Sequence, residues 1–486
     1  MRFEKPTPYA LIALAALTPL APMLAGCGPR VAATAAAANT SAAVTTVIVD
    51  AGAARQRLEG FGAATAYYQN WIAAHPNRAA LYDALFKGLK LDILRLQNVY
   101  RPGKSDRFAE DDRDIVRGAR ESLGYPVTVM MSSWSPPADL KSNRSEKNGG
   151  TLARGEGGAF VYDKFADYWR DSLVAYRSVG IEPKYISLQN EPDFRAEWES
   201  CLFLPTEGEQ GGVKYAGYDR ALAAVHRRVQ SLPAPPRLVG PETLGVGGGN
   251  PQSFLPPTDR ARMDRIGAVA HHLYSGGTHV EPDSFVEELR AIRAAYPGKL
   301  RFQTEFGRSD GFQTAWLIHN SLVEEEAHAY VYWAAIWPGD DALITIDNPW
   351  QRAEWKNPDG FRLNDRYYAL KHYSYFTAPG YRRVEVTAAD PRIKVSAFLS
   401  PDGRSLTVVA LNTAEPPEAK TLALDFRGFA PGEADTRIYQ TRFDPAGANI
   451  VPENPFEDRG ALSGDHRLTL PPRAIATVTL QKQGAG

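Results

Sequence analysis

Residues 185–194 read Tyr185-Ile-Ser-Leu-Gln-Asn190-Glu191-Pro192-Asp-Phe194, a short apolar run that breaks off at Asn190-Glu191-Pro192. Its length and alternation are those of a buried strand, and Pro192 stops it because proline has no N–H to give a ladder. Glu191 therefore stands at a strand's carboxyl end. In parallel α/β folds that end carries the chemistry, and a carboxylate held there beside an amide serves as proton donor and acceptor. A polar strand exit without chemistry reads the same way. A second carboxylate in the same setting separates the two, and it is present at Leu300-Arg-Phe-Gln-Thr-Glu305-Phe-Gly307.

Outward from these two segments, strand-like runs fall at 58–62, 91–96, 127–132, 185–189, 237–240, 267–272, 300–304 and 330–334. Amphipathic helical patterns lie between them at 77–90, 160–179, 215–232, 282–296 and 312–327, with 365–376 after the eighth run. Eight βα repeats over roughly 310 residues predict an α/β fold, a (β/α)₈ TIM barrel over 58–380. From residue 381 the texture changes to short alternating strands such as 394–399, 405–411 and 474–480, separated by Pro, Gly and Asp. These predict an antiparallel β-sandwich side domain over 381–486. The β-branched run at 47–50 has no place in the barrel, so the segment 47–57 is expected to pair with the side domain.

Composition narrows the function. Of 486 residues, 44% are hydrophobic and 23% charged, an ordinary globular balance. Fifty-five basic residues face 56 acidic ones, which leaves no electrostatic footprint for nucleic acid. At the N-terminus, Arg2 and Lys5 precede an apolar segment over 9–24 that ends in Leu24-Ala25-Gly26-Cys27. This reads as an export signal over 1–27, and Leu-Ala-Gly-Cys resembles a bacterial lipobox with Cys27 as the lipidated residue. Residues 28–46, rich in Ala and Thr, read as a disordered tether. The expectation is an exported monomer, secreted or held at a bacterial membrane surface only through a lipid at Cys27. The other cysteine is Cys201, so stability rests on the core.

The strand ends together supply acids and aromatic rings with few cations: Tyr67, Tyr68 and Trp71 after the first, Arg95, Trp134, Asn190 with Glu191, Glu242, His272 with Tyr274, Glu305, and Trp333 with Trp337. Sugars call for this set, since aromatic faces take the C–H side of a pyranose and two carboxyl groups work on the acetal. Ends of strands four and seven can face each other across a barrel mouth, and Glu242 on strand five stays open as a rival second carboxylate. No cofactor and no metal are expected. His271, His272 and His279 lack a carboxylate or cysteine at ligand spacing. Trp169, mid-helix, reads as core, and Glu324-Glu325-Glu326 as a solvated helix face.

The segments Gly60-Phe61-Gly62, Leu94-Arg95-Leu96, Ser133-Trp134-Ser135-Pro136-Pro137, Gln189-Asn190-Glu191-Pro192-Asp193, His272-Leu273-Tyr274, Thr304-Glu305 and Tyr332-Trp333 together resemble glycoside hydrolase family 30. Asn148-Gly149-Gly150 and Tyr381-Arg382-Arg383-Val384 are similar to its bacterial xylanase branch. The resemblance implies Glu191 as acid/base and Glu305 as nucleophile of a retaining hydrolase that cleaves β-1,4-xylosidic bonds in xylan, with a polysaccharide as its partner. It further implies that Asn190 bonds the sugar 2-hydroxyl, that Tyr274 and Arg95 keep the nucleophile ionised, and that Trp134, Trp333 and Trp337 line the subsites. Glucuronoxylan-specific members carry an arginine-containing segment after the eighth strand. Here that segment, Ala334 to Asp341, has no cation, so the glucuronate requirement is not carried over. A β-1,6-galactanase, a β-glucosidase-type enzyme and a non-catalytic polysaccharide-binding barrel remain as alternatives.

Overall fold

The computed structural model describes residues 44–103, 109–444 and 450–483. The expected export signal, the expected lipidation site Cys27 and the expected tether up to residue 43 lie outside these residues. Residues 44–46, read from the sequence as the end of that tether, belong to a strand instead: Val44, Thr45 and Thr46 pair with Thr421, Leu422 and Ala423. They open strand β1, Val44–Arg57, whose inward residues Thr45, Val47 and Val49 alternate with outward ones.

Eight strands then close a parallel barrel: β2 (Gly60–Ala64), β3 (Ile93–Gln97), β4 (Thr128–Ser132), β5 (Tyr185–Ser187), β6 (Arg237–Thr243), β7 (Ile266–His272), β8 (Leu300–Glu305) and β9 (Ala329–Tyr332). The (β/α)₈ reading is borne out. The Gly-Phe-Gly of β2 has a steric reason: a Cβ at Gly62 would run into the Ile93 carbonyl of β3. Ile93, Met130, Tyr185, Val239, Phe302 and Val331 fill the interior. Tyr185 of β5 meets Phe302 of β8 edge to face, 5.1 Å between ring centres. That contact sets β5 and β8 opposite each other across the barrel, and both strands run toward the same mouth.

Around the barrel, the helix Tyr162–Ser178 buries Phe165, Ala166, Trp169, Leu173 and Tyr176 on one face, so Trp169 is core as expected. The helix Gly311–Val323, just after Glu305, starts in a capping box: Asp310 Oδ1 accepts from the Gln313 N–H at 2.7 Å, and Gln313 Oε1 from the Asp310 N–H at 3.1 Å. The acidic run that follows is not a solvated helix face. The helix has ended, Glu325 is buried 3.0 Å from His271 Nε2, and Glu326 lies 3.4 Å from Arg383 and 3.6 Å from Arg301. After β9 the chain inserts a small sheet of Ile336–Trp337, Ile344–Ile346 and Phe361–Leu363, which the periodicity did not reveal.

The side domain adds β10 (Arg382–Ala388), β11 (Ile393–Leu399), β12 (Ser405–Asn412), β13 (Lys420–Arg427), β14 (Pro431–Arg442), β15 (Glu457–Asp458), β16 (Arg467–Leu470) and β17 (Ala474–Lys482). Its nine-stranded order is β15-β14-β17-β12-β11-β10-β1-β13-β16. The pairing is antiparallel except between β1 and β13. A strand that arrives from the far side of the barrel is free of the hairpin rule that reverses its neighbours. Residues from both ends of the order share one core, including Val47, Val395, Val408, Leu424, Leu468 and Val478. The sheet thus curls over itself as a sandwich.

Barrel and sandwich meet through polar contacts as well as packing. His372, fully buried at the end of the last barrel helix, lies 2.9 Å from Thr477 Oγ1 through Nδ1 and 2.8 Å from Thr441 Oγ1 through Nε2. Burial lowers its pKa to about 3, so the native ring stays neutral where the unfolded one charges. Stability from this site is present above pH ~6.5 and falls by ~1.4 kcal/mol per pH unit as the pH drops from there toward 3. The stability gap between wild type and His372→Gln should therefore narrow with acidification. Urea unfolding at stepped pH checks this, and a gap independent of pH contradicts it.

Candidate active site

Backbone geometry at the ends of β5 to β8 aims the polar side chains. Past Ser187 the ladder of β5 gives way to single links: the Asn190 N–H donates to Ser133 O at 2.7 Å and the Glu191 N–H to Glu242 O at 2.9 Å. Glu191 and Glu242 both take left-handed backbone, with φ of 47° and 55°. Such a conformation costs a non-glycine residue ~1–3 kcal/mol and is held only where surrounding bonds enforce it. Register shifts by one between Gln303 and Glu305 against β7, and again between Pro241 and Thr243. These irregularities turn Glu242, His272 and Glu305 into one mouth.

Arg95, fully buried on β3, is the hub. Its Nη1 donates to Glu305 Oε2 at 2.6 Å and its Nη2 to Asn190 Oδ1 at 2.6 Å. Both oxygens of Glu242 accept from it at 3.2 Å, and Nε also reaches Ser132 Oγ at 3.2 Å. The guanidinium lies over the Trp134 ring at 4.6 Å. Tyr274 donates to the other oxygen of Glu305 at 3.0 Å. Glu242, open as a rival from the sequence, is wholly buried behind Arg95, and Arg95 and His272 hold it below the usual carboxylate range against burial.

Glu191 has a different environment. Burial first, then the charges of Asp193 and Glu242, push it up to about 8, with Arg95 and Arg308 opposing. Its Oε1 lies 3.0 Å from His272 Nδ1. Burial lowers His272 to about 4, so that ring is neutral. His272 Nε2 faces Glu305 Oε2 at 3.9 Å, which favours the ring proton on Nε2 and leaves Nδ1 to accept from the protonated Glu191. Burial also raises Glu305, while His272 and Arg95 pull it down. Among the described residues, Glu305 alone of the two carboxyl groups has a direct bond to a cation.

Oxygens of Glu191 and Glu305 and a nitrogen of His272 lie within 4.8 Å of one another. As donors for a metal ion the trio is compromised, since Arg95 and Tyr274 already occupy both oxygens of Glu305. As a pair of carboxyl groups at short range, one carrying a proton and one tied to a guanidinium, they suit acid/base and nucleophilic work on a bond lying between them.

Aromatic side chains extend the mouth. Trp134, almost fully buried, meets Trp333 at 6.0 Å, and Trp333 meets Trp337 at 6.1 Å. Tyr67, with φ of 69°, touches Trp134, Trp333 and Trp337 at 6.0, 6.1 and 6.4 Å. The structure thus brings Arg95, Trp134, Asn190, Glu191, Tyr274, Glu305, Trp333 and Trp337 together. What the sequence left unassigned was the clamp role of Glu242, the His272 bond to Glu191 and the central place of Tyr67. Each stood at a strand end, but residue type alone did not give its partner.

No protein-family model matches the chain. A glucuronoxylanase of Bacillus subtilis is 26% identical over 315 residues, 61% of this chain and 63% of that protein. The lysosomal acid glucosylceramidase of Mus musculus is 23% identical over 330 residues, 62% of this chain and 59% of that protein. The chain thus spans about three fifths of the length of these curated relatives. The crystal structure of a glycoside hydrolase family 30 subfamily 8 xylanase from Clostridium acetobutylicum superposes with a TM-score of 0.67 at 20% identity, covering 90% of this chain and 99% of that one. The resemblance to family 30 xylanases read from the motifs is borne out by these matches.

Removing the charge of Glu242 takes away one of the anions that raise Glu191 and frees Arg95 to act on it. Glu242→Gln is therefore expected to lower the pH at which Glu191 loses its proton, read by carbon NMR titration of the carboxyl groups. It should also destabilise the fold by ~3–5 kcal/mol, as breaking a buried ion pair does. An unshifted Glu191 titration would show that the Arg95 cluster does not set its proton affinity.

Proposed function

We propose that this chain, similar in sequence and fold to glycoside hydrolase family 30, is a retaining O-glycoside hydrolase that cleaves β-1,4-xylosidic bonds within xylan by double displacement. The observation that carries the reading is the approach of Glu191 and Glu305 oxygens to within 4.8 Å. Retaining enzymes hold their carboxyl groups at ~5–5.5 Å and inverting ones at ~6.5–9.5 Å, the extra room being for a water.

In the first displacement a Glu305 oxygen attacks the anomeric carbon as the bond to the leaving sugar oxygen breaks. Glu191 gives that oxygen its proton, and the product is a glycosyl ester on Glu305. In the second, the Glu191 carboxylate takes a proton from water, the water oxygen attacks the anomeric carbon, and Glu305 leaves as a carboxylate. Glu191 needs a proton at rest, which a pKa near 8 provides. Arg95 and Tyr274 stabilise the charge that returns to Glu305. Asn190, its Oδ1 committed to Arg95, keeps its amide N–H groups for a sugar hydroxyl. The match to a glucosylceramidase keeps a β-glucoside substrate as the second reading.

Early product should carry the β configuration at its new reducing end, read by proton NMR before mutarotation, and the rate should fall as pH rises above about 8. Glu305→Ala should lose about 10⁴-fold or more in turnover, and Glu191→Ala should spare the first step on activated aryl glycosides, whose leaving group needs no proton. An α product, or an active Glu305→Ala, would sink the proposal.

A glucuronate branch on the xylan is proposed to be favourable but not obligatory. Asp340 is tied to Arg362 at 2.7 Å, and Arg308, exposed over the Tyr274 ring at 5.2 Å, has no carboxylate ion pair among the described residues. Rates on glucuronoxylan and on arabinose-decorated xylan should agree within about tenfold, since a solvent-exposed ion pair contributes ~1 kcal/mol or less. Arg308→Ala should remove the difference. A hundredfold glucuronoxylan preference would overturn this.

A further inference from the structure

Trp350 is 60% exposed, on the segment between the second and third strands of the small sheet inserted after β9. One exposed indole is ordinary on a protein surface; what sets this one apart is the line of aromatic rings that it ends. Its placement is fixed by its neighbours. The Trp350 N–H donates to Asn348 Oδ1 at 3.0 Å, Asn348 O accepts from Trp355 Nε1 at 2.8 Å, and Asp347 Oδ2 accepts from the Asn357 N–H at 2.9 Å. Trp355 stacks on His75 at 5.3 Å with 9° between ring planes, which ties the segment to the first barrel loop.

Trp350 is also the outer end of the aromatic wall of the mouth. From Trp337 the contacts continue to Tyr68 at 4.6 Å, from Tyr68 to Trp71 at 4.9 Å and from Trp71 to Trp350 at 6.4 Å, all edge to face. In each of these contacts the edge of one ring meets the face of its neighbour, which holds the rings in one continuous line. The inner rings are partly or fully covered by protein, and exposure rises at the last.

We propose that Trp350 is a distal sugar subsite: its indole face stacks on a neutral pyranose of the same polysaccharide chain whose cleaved bond lies between Glu191 and Glu305. The proposal rests on the glycosidase reading above and adds to it the direction in which the bound polymer runs, over β9 and the first barrel loop. Continuity with the catalytic mouth selects this occupant over a lipid surface or a second copy of the chain, which would need no unbroken path to Glu305.

The test is a series of xylo-oligosaccharides of increasing length, with polymeric xylan at the top, turned over by the full chain and by Trp350→Ala and Trp350→Phe. The loss in kcat/KM for Trp350→Ala should appear only beyond a threshold length, reach about three- to tenfold, the worth of one aromatic stack, and reside in KM. Trp350→Phe should recover most of it. A loss of the same size at every length, or none on the polymer, overturns the subsite. Binding of the wild type to lipid vesicles that Trp350→Ala abolishes, with xylan kinetics unaltered, would assign the ring to a membrane instead. A wild type inactive on the whole series refutes the xylanase reading itself, a result distinct from either of these.

Discussion

A single buried guanidinium organises the mouth of this barrel. Arg95 arises on β3 and bonds to Ser132 at the end of β4, Asn190 after β5, Glu242 on β6 and Glu305 on β8. Taking one such charge out of water costs several kcal/mol, and it stays only because two carboxylates and an amide oxygen receive it. The count of charges then decides the rest. Arg95 against Glu242 and Glu305 leaves the cluster one negative charge in excess, so ionising Glu191 beside it would add a second with no cation bonded to it. The proton on Glu191 follows first from burial, and the charges of Asp193 and Glu242 add to it. Of the two glutamates within 4.8 Å, one touches the cation and the other a neutral imidazole, so burial raises Glu191 to about 8 while His272 and Arg95 oppose the same rise at Glu305.

The barrel supplies the positions, but irregularities supply the aim. A regular strand would send alternate side chains out toward the helices, and the required acids do not all fall in register. The shifts around Glu305 and Thr243 and the left-handed backbone at Glu191 and Glu242 correct this. Left-handed backbone is locally unfavourable for a glutamate, and at Glu191 it is accompanied by a bond from its N–H to Glu242 O on the neighbouring strand. The strain thus sits where the chemistry needs the side chains, and the Tyr185 to Phe302 contact below it keeps the opposed strands at fixed separation.

What the sequence disclosed divides along the same line. The eight strands were legible because parallel strands buried on both faces read as apolar runs, and Glu191 and Glu305 because each ends such a run. Glu242 ends one too, and nothing in its residue type distinguishes a clamp from a nucleophile; only the position of Arg95 does. Glu325 looked solvated because its neighbours are acidic, whereas its burial depends on His271, far away in the chain. The inserted sheet 336–363 was missed because strands of two or three residues carry no measurable period. The parallel pairing of β1 with β13 was equally hidden, since alternation shows that a strand has a buried face but not who lies beside it.

That pairing determines how the two domains depend on each other. β1 lies between β10 and β13 in the side sheet, so the sandwich cannot be completed by the chain that follows the barrel. Completing it brings residue 57 beside residue 382, a closure across the whole barrel that costs ~5 kcal/mol if the intervening chain is unstructured. A folded barrel removes most of that cost, because Leu58 at its entrance already bonds to Gly380 and Tyr381 at its exit. Gln56 then ties the junction: its amide donates to Leu322 O at 2.6 Å on the barrel side, and its oxygen accepts from Arg383 at 2.9 Å on the sandwich side. The side domain is therefore built on the barrel rather than appended to it. The helix Gly311–Val323, which follows the Glu305 loop, is fastened at its start to the same scaffold, where Arg473 donates to Asp310 at 2.7 Å. Rigidity at the sandwich in this way reaches the loop that carries the carboxylate.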